Sequence, residues 1–157
     1  MIYRICMLSL VAFTLGCGKT EMPKPSAPTG DAAAPTTDNE DVAITEADVK
    51  IPATYAEALP QIKGYRDTIQ TAIEAGTPGK AHRPLDELDI VLKKLPSIAK
   101  DSGVPTEQWE TVNTSAQELR KQFNKVHSSI DAKLKPNYEA VAEPIDQAIA
   151  KLEQVTQ

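Results

Sequence analysis

The chain has 157 residues, 41% of them apolar, 25% charged and 4% aromatic, with a formal net charge of −5. That length holds one modest domain with tails rather than two ordinary domains. The aromatic poverty argues against a β-sandwich, and the acidic balance counts against nucleic acid as a partner, because a nucleic-acid binder needs a basic surface to displace counterions. Twelve prolines against seven glycines indicate that part of the chain does not pack.

At the N-terminus, Arg4 is followed by an apolar run from Ile5 to Leu15 and then by Gly16-Cys17. One positive charge ahead of roughly a dozen apolar residues is the layout of a secretory signal, assigned to residues 1–16. The run is too short to cross a hydrocarbon core as a helix, which takes about 20 residues. No later stretch is apolar enough to span. Cys6 and Cys17 are the two cysteines of the chain. With Cys6 in the removed segment, the mature chain has no internal disulfide, and a lone terminal Cys in an exported chain points to modification.

The residues Thr14-Leu15-Gly16-Cys17 resemble the lipobox of bacterial lipoproteins, in which a small residue precedes the Cys. Thr14 and Leu15 depart from the family pattern, which usually has Leu and a small residue at these places. The resemblance implies cleavage before Cys17, lipid on its thiol and amine, and a membrane partner facing the periplasm or the outer surface. Gly18, where the family's inner-membrane retention signal would be Asp, favours the outer membrane. Cleavage by an ordinary signal peptidase after Gly16 is the alternative reading.

From Gly18 to about Ile51 the composition changes. Pro23, Pro25, Pro28 and Pro35 mix with Ala32-Ala33-Ala34 and with acidic and hydroxyl residues. Such a stretch buries too little apolar surface to offset its ordering entropy, so residues 17–52 are expected to form a lipid-anchored disordered linker, with a helical body over 53–157.

Four helices follow. Thr54 with Glu57 matches a capping box and opens a stripe of Tyr55, Leu59, Ile62, Ile69, Ala72 and Ile73, interrupted by Pro60 and Gly64. Ala75-Gly76-Thr77-Pro78-Gly79 is a break. The second helix carries Leu85, Leu88, Leu92, Leu95 and Ala99 on one face, with Pro84 in its first turn and Pro96 expected to bend its far end. Gly103 offers a left-handed cap. In the third helix Trp109, Val112, Ala116, Leu119, Phe123, Val126 and Ile130 step 3, 4, 3, 4, 3, 4, a seam for knobs-into-holes packing. Asn137 caps the fourth helix, where Tyr138, Val141, Ile145, Ala148, Ile149 and Leu152 share a face and Pro144 is a further expected kink. Four amphipathic helices on short loops predict an all-α, up-down-up-down bundle.

The chain has no Gly-rich phosphate loop, no Cys-x-x-Cys, no His-Glu-x-x-His and no Gly-x-Ser-x-Gly, so an enzyme is not expected. In architecture and length the body is similar to the periplasmic cytochromes of the b562 and c′ types. It lacks their ligands: no Cys-x-x-Cys-His, no Met in the body and no His in the fourth helix.

One constellation remains. His82, Asp86 and Asp89 fall at i, i+4 and i+7 of the second helix, and His127 and Asp131 at i and i+4 of the third. Counted outward from Gly103, His82 lies about 21 residues before and His127 about 24 after, a mismatch on the order of 5 Å along antiparallel helices. Imidazoles and carboxylates on facing helices are how bundles build metal sites, and His with Asp suits Zn, Fe or Cu better than Ca. The same residues also read as a solvated flank, since Asp89 has Lys93 four residues on. Trp109, Tyr55, Tyr65 and Tyr138 read as core or core-edge residues, and the lysine clusters as solvated faces.

Two functions follow as expectations. One is a lipid-anchored, non-catalytic envelope module that binds or spaces an envelope protein. The other is a bundle binding a metal ion or haem b through His82 and His127, in the manner of an electron carrier.

Overall fold

The computed structural model describes residues 44–156. The signal segment, Cys17 and the linker as far as residue 43 lie outside them. The described residues are helical, without strands. Four α-helices carry the fold: α1 (Tyr55–Glu74), α2 (His82–Asp101), α3 (Trp109–Asp131) and α4 (Glu139–Glu153). Single turns of 3₁₀ helix at Glu46–Asp48, Pro78–Ala81 and Thr106–Gln108 precede or join them. The helices pack α1 on α2, α2 on α3 and α3 on α4, with a lighter contact between α1 and α4.

Several of the helix ends have a local reason. The Thr54 hydroxyl accepts the Glu57 amide at 3.2 Å, and Glu57 reaches back to the Ala53 amide at 3.0 Å. The first bond satisfies a donor that the first turn of α1 leaves without a partner, and the second ties down the residue before the cap. Asn137 accepts the Ala140 amide at 3.3 Å ahead of α4. Gly76 and Gly103, at φ of 71° and 80°, close α1 and α2 in left-handed turns. The third such turn falls on Lys133, at φ 55°, which bears the steric cost that glycine avoids.

The prolines do not end their helices. Pro60 and Pro144 each remove one backbone bond near a helix start, and Pro96 one near a helix end, yet α1, α4 and α2 continue through them. All three sit off the fully buried stripe: Pro60 is exposed and Pro96 and Pro144 are part-exposed. Gly64, inside α1, is exposed, and a Cβ added there meets nothing within 4 Å. Gly64→Ala is therefore expected to stabilise the protein by about 0.5–1 kcal/mol through reduced backbone entropy of the unfolded chain, read as a higher urea midpoint.

The core follows the expected faces of α2, α3 and α4. Leu85, Leu88, Leu92, Leu95 and Ala99 are buried, as are the α3 seam from Val112 to Ile130 and the α4 face from Val141 to Leu152. In α1 the buried face is turned slightly from the expected one: Ala58 is fully buried, whereas Leu59 and Ile73 pack only at its margin. Tyr55 is core rather than core edge, at 0% exposure. Its hydroxyl donates to the Leu152 carbonyl at 2.9 Å, and its amide donates to Ser102 Oγ at 2.8 Å, so burial leaves neither group unpaired. Trp109 packs against the core, donates its indole N–H to the Val104 carbonyl at 2.8 Å and lies under the Lys100 ammonium.

The body also begins earlier than expected. Val49 and Pro52 are buried and Ile44 and Ile51 pack against the core. Glu46 pairs with Lys94 at 2.8 Å and the Lys50 carbonyl accepts from Gln61 at 2.8 Å. Residues 44–52 therefore belong to the body and not to a linker. Their apolar side chains are too few to show a period, but Ile44, Val49 and Ile51 find surface left open by the first two helices.

Candidate metal site

His82 is the first residue of α2, and Asp131 is the last of α3. With α2 packed on α3, the start of one helix meets the end of the other. His127, one turn before Asp131, projects beside His82. The two imidazole rings meet edge to face, with centroids 5.2 Å apart and planes at 65°. This agrees with the small axial mismatch counted from Gly103.

The nitrogens converge on one carboxylate oxygen. His82 Nε2 lies 3.5 Å and His127 Nε2 3.6 Å from Oδ1 of Asp131. One ligand atom from each of the three residues lies within 4.8 Å of the others. His82 Nε2 is itself out of solvent and makes no hydrogen bond. It sits at ion-pair distance from Asp131 without the geometry of a bond, which leaves a desolvated lone pair or proton poorly used. The imidazoles are 28% and 26% exposed and Asp131 is 58% exposed, so the group opens to solvent on the carboxylate side.

Bonds of about 2.0–2.1 Å to zinc place tetrahedral ligand atoms roughly 3.3 Å apart. The widest separation in the group must then close by at most about 1.5 Å. Rotation of partly exposed side chains supplies that without moving a helix. The helix ends pull in opposite senses, since the C-terminus of α3 favours a cation and the N-terminus of α2 disfavours one. Charge selection is left to the ligands.

The five residues that spacing singles out separate into two groups. His82, His127 and Asp131 form the cluster, and Asp86 borders it, with Oδ1 3.8 Å from His127 Nδ1. Asp89 does not join them. It is held by Arg120 of α3 at 2.7 Å and by Lys93 at 2.6 Å. Burial pushes its carboxyl up, but the bonds from Lys93 and Arg120 outweigh this and keep it below the usual carboxylate range. An anion neutralised by two cations is a poor metal ligand.

A bis-histidine haem would need its macrocycle plane between the imidazoles, which here meet edge to face with centroids 5.2 Å apart. No protein-family model, curated protein or solved structure matches the chain, and the site rests on its own geometry.

Proposed function

We propose that the chain is an exported, lipid-anchored, non-catalytic helical module that holds one divalent transition-metal ion between α2 and α3. The observation that carries the metal reading is the convergence of two imidazole Nε2 atoms on one Asp131 oxygen, at 3.5 and 3.6 Å. Two neutral imidazoles and a carboxylate are the donors of Zn²⁺, Cu²⁺, Ni²⁺ and Fe²⁺, whereas Ca²⁺ and Mg²⁺ call for oxygen alone. In this reading the body is an up-down-up-down bundle. Three contacts support that topology: Tyr55 at the start of α1 bonds Leu152 at the end of α4 and Ser102 just past α2, and Gln108 just before α3 bonds Thr156 just past α4.

Export and anchoring rest on the sequence: Arg4, the apolar run and Thr14-Leu15-Gly16-Cys17. No helix among the described residues is long and apolar enough to cross a membrane, so membrane attachment in this reading falls to lipid on Cys17. Envelope proteins reached from that membrane are the partners such a module would bind or space.

Metal loading is tested by equilibrating the purified full chain with Zn²⁺, Cu²⁺ or Ni²⁺, removing free ion and measuring bound metal per chain. One equivalent is expected for at least one of the three; none bound at micromolar free metal would end the metal reading. Anchoring has a separate test. Cys17→Ser is expected to move the protein from the membrane fraction to the soluble fraction, because the double-chain anchor is lost. Unchanged membrane partition would refute the lipid anchor.

A further inference from the structure

We infer that Asp86 is the positioning residue of the metal site, a carboxylate behind His127 that decides which of its ring nitrogens carries the proton. The inference rests on the metal-binding reading above and adds a residue that is not itself a ligand.

The two nitrogens of His127 face two different carboxylates. Nε2 faces Asp131 at 3.6 Å, on the side where His82 Nε2 also lies, and Nδ1 faces Asp86 at 3.8 Å. A neutral imidazole donates from one nitrogen and offers a lone pair at the other. Without metal, Asp131 attracts the proton to Nε2, which is the tautomer that cannot bind an ion at the shared position. Asp86 attracts it to Nδ1 and so keeps the Nε2 lone pair free. The two acids therefore compete for one proton, and the outcome sets how ready the site is.

Geometry makes this assignment specific. Asp86 stands one turn after His82 on α2, so a single face of that helix supplies both a ligand and the group behind the ligand of the opposite helix. The 3.8 Å separation is within ion-pair range and about 1 Å longer than a hydrogen bond. Asp86 is itself part-exposed, at 40%, and free to close that gap. Asp89, the next carboxylate along α2, is unable to substitute because Arg120 and Lys93 hold it. A carboxylate behind a metal-bound histidine fixes the ring's tautomer and orientation and raises its basicity, and removing one typically costs 10- to 100-fold in metal affinity.

The test uses the full chain, with Zn²⁺ alone as the probe in competition with a chromophoric chelator. Asp86→Ala is expected to weaken binding about 10- to 100-fold. Asp86→Asn should weaken it less, because the amide oxygen still accepts from Nδ1, and Asp86→Glu should restore most of the affinity. Asp89→Asn should leave affinity unchanged. Ring ¹⁵N spectra of metal-free protein should place the His127 proton on Nδ1, and Asp86→Ala should shift it toward Nε2, with unchanged melting of the metal-free protein. If the wild type binds Zn²⁺ and Asp86→Ala binds it equally well, the role of Asp86 is refuted and the metal site stands. If Asp86→Ala loses affinity and metal-free stability together and Asp86→Glu rescues neither, the residue is structural and the inference fails. If the wild type binds none of Zn²⁺, Cu²⁺ and Ni²⁺, both the site and the role of Asp86 are refuted; if it takes up Cu²⁺ or Ni²⁺ but not Zn²⁺, that ion is the probe for the same variants.

Discussion

Replacing His82 and His127 together by alanine is expected to abolish the proposed metal uptake, and each single replacement to weaken it by more than about 100-fold. That exceeds the 10- to 100-fold typical of a group behind a ligand, because a coordinating lone pair is removed outright. The effect has a thermodynamic counterpart. An ion that binds only the folded chain at 100 times its Kd stabilises it by about 2.7 kcal/mol, which raises the melting temperature of a domain this size by roughly 10 °C. The double variant should melt at the same temperature with and without the ion. Uptake should also weaken as pH falls, since each imidazole must be unprotonated to donate its lone pair. Metal analysis and thermal melts on the same preparations check all three. Full uptake by the double variant would place the ion elsewhere.

Leu119→Ala carries the largest expected cost to stability, about 2–5 kcal/mol. Leu119 is fully buried at the middle of the α3 seam, and α3 packs against both α2 and α4. A cavity at that position faces side chains of two neighbouring helices, so collapse around it is incomplete. Leu134→Ala is the matched control: Leu134 is 64% exposed, just past α3, and its loss should change stability by no more than about 0.5 kcal/mol. Urea denaturation measures both. A cost below about 1 kcal/mol at Leu119 would mean that the seam is not the centre of the core.

The difference between these two leucines is legible in the sequence. Leu119 occupies an unbroken 3–4 spacing, whereas Leu134 sits beside Lys133, Lys135 and Pro136, outside any period. The faces of α2 and α4 are legible for the same reason, as are the Thr54 and Asn137 caps, because both signals are local along the chain. The prolines do not fix the helix ends in the same way. α2 and α4 continue through Pro96 and Pro144, because an established helix packed on its neighbours tolerates one lost backbone bond.

The candidate site is legible only as a set of five residues. Spacing places His82, Asp86 and Asp89 on one flank, and His127 and Asp131 on another, but it is silent on how the flanks are turned toward each other. That rotation follows from how the leucine face of α2 beds into the seam of α3. It sends Asp89 to Arg120 and brings Asp131 to the two imidazoles. Nor does any pattern in residues 44–52 announce that they pack, because their apolar side chains fill a surface made by other parts of the chain.

Local chemistry therefore settles the helical class, the buried faces and most of the helix ends, since these depend on neighbours three or four residues away. Packing alone settles which charged residues meet across helices. A flank residue lies at the margin of its helix, and a small rotation of that helix trades one partner for another while leaving every leucine buried.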